Sequence, residues 1–373
     1  MDQGRSLHAL SPAELEARLR LHALPGFGPR RHRRLLEAFA SASAALSAPA
    51  AAWRALGLPA ACAEARRSAQ VRQQAAQALA WLEKPRRHLL PLGEPDYPAL
   101  LAELDDAPPL LFVEGDAAIL ERPQLAMVGS RRASKPGLDT ARAFARQLAG
   151  AGFVVTSGLA LGIDGAAHRG ALDAGGRTVA VLGTGLQRLY PTRHETLAAE
   201  ILEGGGALLS ELPLDCPPQA GNFPRRNRIV SGLSLGVLVV EAGPSSGSLI
   251  TARLAAEQGR EVYAIPNSIH HPGARGCHRL IRDGAILVES IEHILEALRG
   301  WQNLAPPPGS RAGPAMLDER HPLLALLHAA PQTSEELALA SGWPLAQVLA
   351  ALTELELDGK VASEGGRWQG CAG

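Results

Sequence analysis

The chain has 373 residues, of which 46% are apolar and 20% charged, and its formal net charge is zero. This composition is typical of a folded globular protein and argues against a disordered chain, and the length suggests two or three domains. The start has no basic segment followed by an apolar run, and no charge-free stretch reaches the length of a membrane span. We therefore expect a cytoplasmic protein with no membrane contact.

The cysteine pattern predicts ordinary reduced thiols. Four cysteines lie far apart, with no CxxC and no Cys/His pairing of metal-ligand spacing: Cys62, Cys216, Cys277 and Cys371. Neither a disulfide framework nor a metal site is indicated.

Charge is unevenly distributed along the chain. Residues 1–92 have 14 basic and 6 acidic side chains, residues 93–303 have 19 and 23, and residues 304–373 have 4 and 8. The net charges are therefore +8, −4 and −4. A basic module on a neutral body is a recognised hint of a nucleic-acid partner.

Residues 1–85 are predicted to form helices separated by Gly/Pro turns. In LHALPGFGPRRHRRLLEAF, apolar positions flank the turn at Gly26 and Gly28, and Arg30 and Arg31 follow at once. The pattern resembles a helix-hairpin-helix, in which backbone N–H groups and nearby arginines contact a DNA phosphate. A plain αα-hairpin with a solvated basic helix fits the same residues.

Residues 90–300 alternate short apolar runs with amphipathic helical stretches, which is typical of βαβ units. Near-continuous Val/Leu/Ile runs indicate strands that are buried on both faces. The predicted strands are 125–129, 153–157, 178–183, 207–211, 236–242, 261–266 and 285–288. The expected fold is an α/β, doubly wound, Rossmann-like parallel sheet.

A Pro/Gly-rich stretch at 304–318 predicts a linker. Residues 319–373 beyond it have the outline of a winged helix: two helices and a Gly-tipped hairpin. The second helix carries Glu354, Glu356 and Asp358 and no basic residue before Lys360. A role in packing or protein contact is therefore favoured over reading of DNA.

Small and hydrogen-bonding residues follow nearly every predicted strand of the core. They include Gly129-Ser130-Arg131, the 157–164 stretch, Gly183-Thr184-Gly185 and Gly243–Ser248. In a parallel sheet these ends share one edge, where helix N-termini present free N–H groups to a ligand. The sequence therefore predicts an anion-binding edge.

Two common anionic cofactors do not fit this edge. The first core strand is followed by GSRRAS rather than GxGxxG, which excludes the usual dinucleotide site. None of the three lysines lies in a GxxxxGK[ST] loop, which excludes a P-loop. We expect no cofactor.

Seven ordered blocks between residues 90 and 300 resemble those of the DprA/Smf family. The blocks are VGSR (128–131), SGLALGIDGAAHRGAL (157–172), GTGL with YP (183–191), SELP (210–213), FPRRNRIVSGLS (223–234), VVEAGPSSGSLITARLAAEQGR (239–260) and GCHRLIRDGA (276–285). The resemblance implies a protein that binds single-stranded DNA and loads a RecA-type recombinase during natural transformation. It also implies a homodimer without enzymatic turnover.

The resemblance implies a DNA groove around Arg131 as the pocket arginine. By matching motif, the groove residues are Ser130, Arg131, Gly158, Gly162, Gly183, Phe223, Arg225, Arg226 and Asn227. Ala220 stands where some members have a lysine, so that one backbone contact is either absent or taken over by Arg225. His194 stands where the family commonly has asparagine.

Structural interpretations compete with several of these roles. His168 lies four residues after Asp164, which favours a hydrogen bond between them over catalysis. Phe223 could stack on a base or pin its loop, and stacking is preferred. The FPRRNR arginines could clamp phosphate or form ion pairs, and the clamp is preferred. Glu211 and Glu241 are expected to orient arginines or cap loops, and a catalytic carboxylate stays open.

Two enzymatic alternatives remain. Residues 243–247 fit GxSxG, with Ser245 as nucleophile and Asp283 and His293 following in the chain order of an α/β-hydrolase. A phosphoribohydrolase-like enzyme is the other alternative, but the matching turn GPSSGSLITA lacks that family's catalytic glutamate. Binding without catalysis is favoured over both.

Overall fold

The computed structural model describes residues 10–298, 323, 326–327, 332–357, 361–364 and 367–370. The chain forms two compact units, Met1–Pro306 and Pro307–Gly373. The helical region and the α/β core share the first unit, and the domain boundary that the sequence suggests between them stays a prediction. The linker at 304–318 and Cys371 lie outside the described residues.

From residue 10 onward, where the structure describes the chain, six helices form the N-terminal region. They are α1 (Pro12–His22), α2 (Pro29–Phe39), α3 (Ala42–Ser47), α4 (Ala50–Ala55), α5 (Ala60–Ala65) and α6 (Ala69–Leu82). Serine caps start three of them, because the hydroxyls of Ser11, Ser41 and Ser68 accept backbone N–H groups three residues on.

Two apolar clusters hold this helical region. One is its own core, around the fully buried Leu21, Leu35 and Trp53. In the other, Leu19 of α1 and Trp81 of α6 pack with residues of the sheet. Burial of this second cluster attaches the helices to the α/β core.

The core contains a nine-stranded sheet. Its strands are β1 (Arg87–Pro91), β2 (Leu110–Gly115), β3 (Gln124–Val128), β4 (Val154–Ser157), β5 (Thr178–Val181), β6 (Ala207–Ser210), β7 (Gly236–Val239), β8 (Glu261–Ala264) and β9 (Ile286–Leu287). The spatial order is β1-β2-β6-β5-β4-β3-β7-β8-β9, and β3 to β9 are mutually parallel. All seven predicted strands and the fold class are confirmed.

Two antiparallel strands at one side of the sheet were not predicted. β2 pairs antiparallel with both β6 and β1, so the sheet is mixed. Pro91 is tolerated because β1 is the edge strand, where a missing N–H breaks no ladder in the sheet interior.

Eight helices accompany the strands of the core. They are α7 (Ala99–Ala102), α8 (Lys135–Gly150), α9 (Ile163–Asp173), α10 (Glu195–Glu203), α11 (Asn222–Gly232), α12 (Ser248–Glu257), α13 (Arg275–Arg282) and α14 (Ile291–Ala297). Successive residues of β3 point to opposite faces of the sheet. Ala126 and Val128 pack with α11 and α12, whereas Leu125 and Met127 pack with α8 and α9.

The order of the parallel strands has one switch point, between β3 and β7. From β3 the chain runs through β4 and β5 to β6 on one side. It then crosses back through α11 to β7 and continues to β9 on the other side. The loops after β3 and β7 diverge at this point, which is where open α/β sheets bind ligands.

The second unit has two described helices, Ser334–Ser341 and Leu345–Leu357, and an antiparallel hairpin, β10 (Val361–Glu364) with β11 (Arg367–Gly370). A capping box starts the first helix, where Thr333 and Glu336 satisfy each other's backbone N–H groups. Two helices followed by a hairpin match the predicted winged-helix outline; Asp358 and Lys360 lie outside the described residues.

Within the described part of the chain, no helix combines the length and the apolar character that crossing a bilayer requires.

Candidate nucleic-acid interface

An open crevice of about 880 Å³ lies at the switch point. We call it the switch-point crevice. It is lined by Val128, Gly129, Ser130, Arg131, Arg132, Ala160, Asp164, Tyr190, Pro218, Ala220, Phe223, Pro224, Arg226, Asn227, Gly243, Ser245, Ser246, Gly247, Ser248, Ile250 and Thr251. Five predicted site residues are therefore brought together here: Ser130, Arg131, Phe223, Arg226 and Asn227.

Arg131, Phe223 and Tyr190 form a row across this crevice. The guanidinium carbon of Arg131 lies over the Phe223 ring, 5.7 Å from its centroid, and the Tyr190 and Phe223 centroids are 5.6 Å apart. Arg131 is exposed, and within the described residues it has no hydrogen bond or ion pair. An unpaired cation beside two accessible rings can take up a phosphate and stack on bases.

The three predicted glycines lie behind the crevice and make room for its side chains. A Cβ on Gly158 would lie 2.4 Å from the Arg226 guanidinium, and one on Gly183 would lie 2.6 Å from the Phe223 ring. A Cβ on Gly162 would lie 2.2 Å from the Ser130 carbonyl oxygen, and Gly162 has a φ of +82°. These glycines position the site through close packing rather than through direct exposure.

Arg226 is only 5% exposed and connects the ends of two strands. Its Nη1 donates to the carbonyl of Gly158 at 2.7 Å and to the carbonyl of Val181. Burial lowers the pKa of Arg226 to about 10, and the nearby carboxylate of Asp164 opposes this shift. Arg226 is therefore still charged at neutral pH and places a fixed positive charge beneath the crevice.

Asn227 and Arg225 lie on different faces of α11. Asn227 accepts from Arg226 Nε at 3.3 Å and donates to the Gly247 carbonyl at 3.4 Å, so it links α11 to the loop after β7. Arg225 pairs instead with Glu211, at 3.2 Å, and does not line the crevice. Whether Arg225 takes over the contact of the lysine that Ala220 replaces stays a prediction.

Asp164 and His168 each have a structural partner, and they do not bond to each other as expected. The Asp164 carboxylate accepts the N–H groups of Gly158 and Ala160, at 3.1 and 3.3 Å. Burial raises the pKa of Asp164, although Arg226 opposes the shift. His168 Nδ1 bonds the Thr178 hydroxyl at 2.7 Å, and burial lowers the pKa of His168 to about 3. Thr178, the first residue of β5, is therefore the hydrogen-bond partner of His168. The helical spacing of Asp164 and His168 could not predict this contact, because it depends on the neighbouring strand.

His194, the departure from the family asparagine, holds the loop after β4. Its Nδ1 donates to the Leu159 carbonyl at 2.9 Å, and Leu159 has a φ of +58°. Since left-handed backbone is costly for leucine, this hydrogen bond helps to stabilise the loop.

The two glutamates that follow β6 and β7 orient arginines and fix a loop, as expected. Glu211 pairs with Arg225 and Arg228. The Glu241 carboxylate accepts the Ser134 hydroxyl at 2.6 Å and the Ser134 N–H at 3.1 Å, where Ser134 caps α8. Glu241 therefore fixes the loop that carries Arg131.

The predicted hairpin contact lies between α1 and α2. Gly26 has a φ of +64° and Gly28 caps α2. Arg31 donates to the Gly26 carbonyl and so closes its own turn, whereas Arg30 is exposed and has no hydrogen bond or ion pair to a described residue. Arg30 is therefore the more available of the two for a phosphate, and the DNA contact itself stays a prediction.

Asp283 and His293, the candidate partners of Ser245 in a hydrolase, each bond a residue four positions away in the chain instead. Asp283 pairs with Arg279 at 3.4 Å, and His293 Nδ1 accepts the Glu289 N–H at 3.3 Å. No described histidine or carboxylate hydrogen-bonds Ser245. Nucleophilic catalysis requires that its base be within hydrogen-bonding reach of the nucleophile, so this arrangement does not favour a hydrolase.

Tyr190 and Arg132 line the crevice but were missing from the predicted site. The signals were present in the sequence: Tyr190 belongs to the YP block, and Arg132 directly follows Arg131. Only the fold shows that the loop after β5 brings Tyr190 to Phe223, which follows a different strand. In the part of the chain that the structure describes, no group of three or more His, Cys, Asp or Glu residues could hold a metal ion.

Comparisons with known proteins identify a family for both units of the chain. The family described as "DNA recombination-mediator protein A" matches residues 88–299, and "DprA winged helix domain" matches residues 305–367. Protein Smf of Escherichia coli is 49% identical over 297 residues, which is 78% of this chain and 79% of that protein. DNA processing protein DprA of Bacillus subtilis is 41% identical over 56% of this chain and 70% of that protein.

Two solved structures are also similar. DprA from Streptococcus pneumoniae has a TM-score of 0.63 and 35% identity, and the match covers 78% of this chain and 98% of that chain. DprA from Helicobacter pylori, solved for its single-stranded DNA binding mode, has a TM-score of 0.51 and 31% identity over 57% of this chain and 96% of that chain. The family matches together span the α/β core and the C-terminal unit. The chain therefore belongs to the DprA/Smf family of DNA-processing proteins.

Proposed function

We propose that this chain binds single-stranded DNA in the switch-point crevice, without catalysis. The observation that carries the proposal is Arg131, an exposed cation over the Phe223 ring with no ion pair among the described residues. A crevice with an unpaired arginine and two aromatic rings suits a strand whose bases are unstacked, since each base presents a face to a ring. A base-paired duplex keeps its bases stacked inside and offers mainly phosphates.

We assign direct DNA contact to Ser130, Arg131, Phe223 and Asn227, which line the crevice. The supporting role falls to Gly158, Gly162, Gly183 and the buried Arg226. The single-stranded DNA binding mode of the Helicobacter pylori relative supports this function for a similar fold. The hairpin residues Gly26, Gly28, Arg30 and Arg31 would add a backbone contact that is independent of sequence.

The decisive experiment compares a single strand with its duplex. Dissociation constants are measured for a labelled oligonucleotide in both forms over a series of salt concentrations. We expect tighter binding of the single strand at every salt concentration and a linear fall of log affinity with log salt. Equal or tighter binding of the duplex would contradict the proposal.

Three further parts of the proposal follow the family. The chain would protect incoming DNA and load a RecA-type recombinase, it would act as a homodimer, and it would be cytoplasmic. Faster recombinase filament formation on coated single strands would test loading, and sedimentation velocity would test the dimer.

The absence of catalysis is tested with a serine-reactive phosphonate. Labelling that Ser245→Ala abolishes would favour the hydrolase alternative.

A further inference from the structure

We propose that Glu211 is a positioning residue for DNA binding, and that it couples the N-terminal helical region to the crevice. It would act by fixing α11, the helix that carries Phe223, Arg226 and Asn227. This inference rests on the proposed function, because its readout is the affinity for single-stranded DNA.

The buried Glu211 carboxylate lies against the face of α11 that carries Arg225 and Arg228. The residue is 5% exposed and follows β6 directly. Its carboxylate accepts from Arg228 Nη2 at 2.6 Å and pairs with Arg225 Nε at 3.2 Å. Arg228 is itself 4% exposed and also pairs with Asp106 at 3.1 Å. Because Glu211 and Arg228 are both buried, their ion pair fixes the two side chains far better than an exposed ion pair would.

The residues held by Glu211 and those that line the crevice lie on different faces of one helix. Arg225 and Arg228 are three residues apart, as are Phe223 and Arg226, so that each pair forms its own row along α11. Because an α-helix is rigid over 11 residues, holding one row sets the rotation and depth of the other. A shift of α11 would therefore move the Phe223 ring relative to Arg131.

The same residue is held by the N-terminal region through its backbone. His22, the last residue of α1, lies with its Nε2 2.8 Å from the Glu211 carbonyl oxygen, and its ring meets the edge of Phe112 at a centroid distance of 5.6 Å. Because a carbonyl only accepts, Nε2 donates. Burial lowers the pKa of His22, so the ring is neutral with its proton on Nε2. Glu211 thus contacts both helices: its backbone carbonyl accepts a hydrogen bond from α1, and its carboxylate pairs with the arginines of α11.

A double-mutant cycle on the full chain tests whether Glu211 acts on DNA binding through Phe223. Affinity for a single-stranded oligo-dT is measured for wild type, Glu211→Gln, Phe223→Ala and the double variant. If Glu211 acts by positioning Phe223, Glu211→Gln alone should weaken binding by about five-fold or more. In the Phe223→Ala background, the same substitution should weaken binding by less than about two-fold, because the ring that it positions is already absent. The matched control is Glu257→Gln, whose carboxylate is exposed and pairs with Arg253 on α12; it should leave binding unchanged.

A second variant guards against loss of folding, since Glu211→Gln leaves Arg228 with one carboxylate fewer. Arg225→Gln removes only the partner that is 46% exposed. We expect weaker binding with an unchanged salt slope, because Arg225 acts through Glu211. A flatter slope would mean that Arg225 itself contacts phosphate, and it would overturn the assignment.

The outcomes separate the two proposals. Failure of the wild-type chain to bind the single strand would contradict the proposed function. Tight wild-type binding with additive losses in the cycle, or with no loss in a folded Glu211→Gln variant, would overturn only the positioning role of Glu211.

Discussion

The guanidinium of Arg131 lies over the ring of Phe223, although Arg131 follows β3 and Phe223 is the second residue of α11. The contact spans the crevice from one wall to the other. It places a cation that has no hydrogen bond or ion pair among the described residues directly beside an aromatic surface.

Removal of this cation should weaken DNA binding. Loss of a charge-assisted hydrogen bond costs about 1.5–3 kcal/mol, so Arg131→Ala should bind single-stranded DNA roughly ten- to more than a hundred-fold more weakly. Arg131→Lys should recover only part of the affinity, because an ammonium lacks the planar fork. Titration by fluorescence anisotropy measures both. The variants must keep the wild-type melting temperature, and unchanged affinity in a folded Arg131→Ala protein would place the groove elsewhere.

Tyr190 should contribute a second stacking surface. Its side chain is 44% exposed and its ring lies beside Phe223. Stacking of one base is worth about 1–3 kcal/mol, so Tyr190→Ala should weaken binding by roughly five- to a hundred-fold, and Tyr190→Phe should retain most of the affinity. Oligonucleotides with single abasic sites supply the control. Equal losses for the alanine and phenylalanine variants would contradict stacking.

Arg30 should contribute through charge alone. Replacement of Arg30 by Ala is expected to lower the slope of log affinity against log salt by about one, without a change in base preference. Arg34 is the matched control, because it is exposed on the same helix but donates to the Leu56 carbonyl at 3.2 Å. An unchanged slope for Arg30→Ala would leave the hairpin with a structural role.

Two buried histidines should make the protein sensitive to acid. Burial lowers the pKa values of His32 and His168 to about 3, from 6.5 in the unfolded chain. Between these values the unfolded chain binds more protons than the folded protein, so stability is fully present above pH 6.5 and is lost as the pH falls towards 3. At pH 5 the free energy of unfolding should be lower by about 2 kcal/mol per histidine.

Urea unfolding at pH 7 and pH 5 measures this loss. His168→Gln should be less stable than wild type at pH 7 and should lose less on acidification, because it has one fewer group to protonate. An identical pH dependence in both proteins would exclude His168 as a cause.

The C-terminal unit should be dispensable for binding of a single strand. The described part of its second helix carries Glu354 and Glu356 and no basic residue, and residues 304–373 have a net charge of −4. Deletion of 305–373 should leave the affinity within a few fold, because an acidic surface does not attract phosphate. A much larger loss, in a truncated protein that still melts cooperatively, would argue for a DNA contact in this unit.

The strands of the core were predictable because their signal is local. The run Thr178–Val181, for example, consists of small apolar and β-branched residues, and all four are buried. Such a run predicts a strand that is buried on both faces without any knowledge of its neighbours. The edge strand β1 was not predicted, and it ends in Pro91, a residue type that is rare in strands. Whether a proline is tolerated depends on the neighbouring strand, which only the completed sheet provides.

The sequence predicted five residues that the fold brings to the crevice, but it did not predict which contacts each side chain makes. The sequence grouped Arg225, Arg226 and Asn227 in one clamp, since they are consecutive. Helical geometry instead directs them to an ion pair with Glu211, to strand-end carbonyls and to the crevice. Which arginine is covered depends on what packs against each face of α11, and the sequence of that helix does not contain this information.

The crossover of α11 between the two halves of the sheet makes the crevice a property of both halves together. Strands β3 to β6 come from residues 124–210 and strands β7 to β9 from residues 236–287, so each half is continuous in the chain. A polypeptide cut within residues 215–221 would leave Arg131 on one fragment and Phe223, Asn227 and Gly247 on the other. Neither fragment would possess a complete binding wall. DNA binding would then become a bimolecular assembly, with an affinity that depends on the concentration of the two fragments.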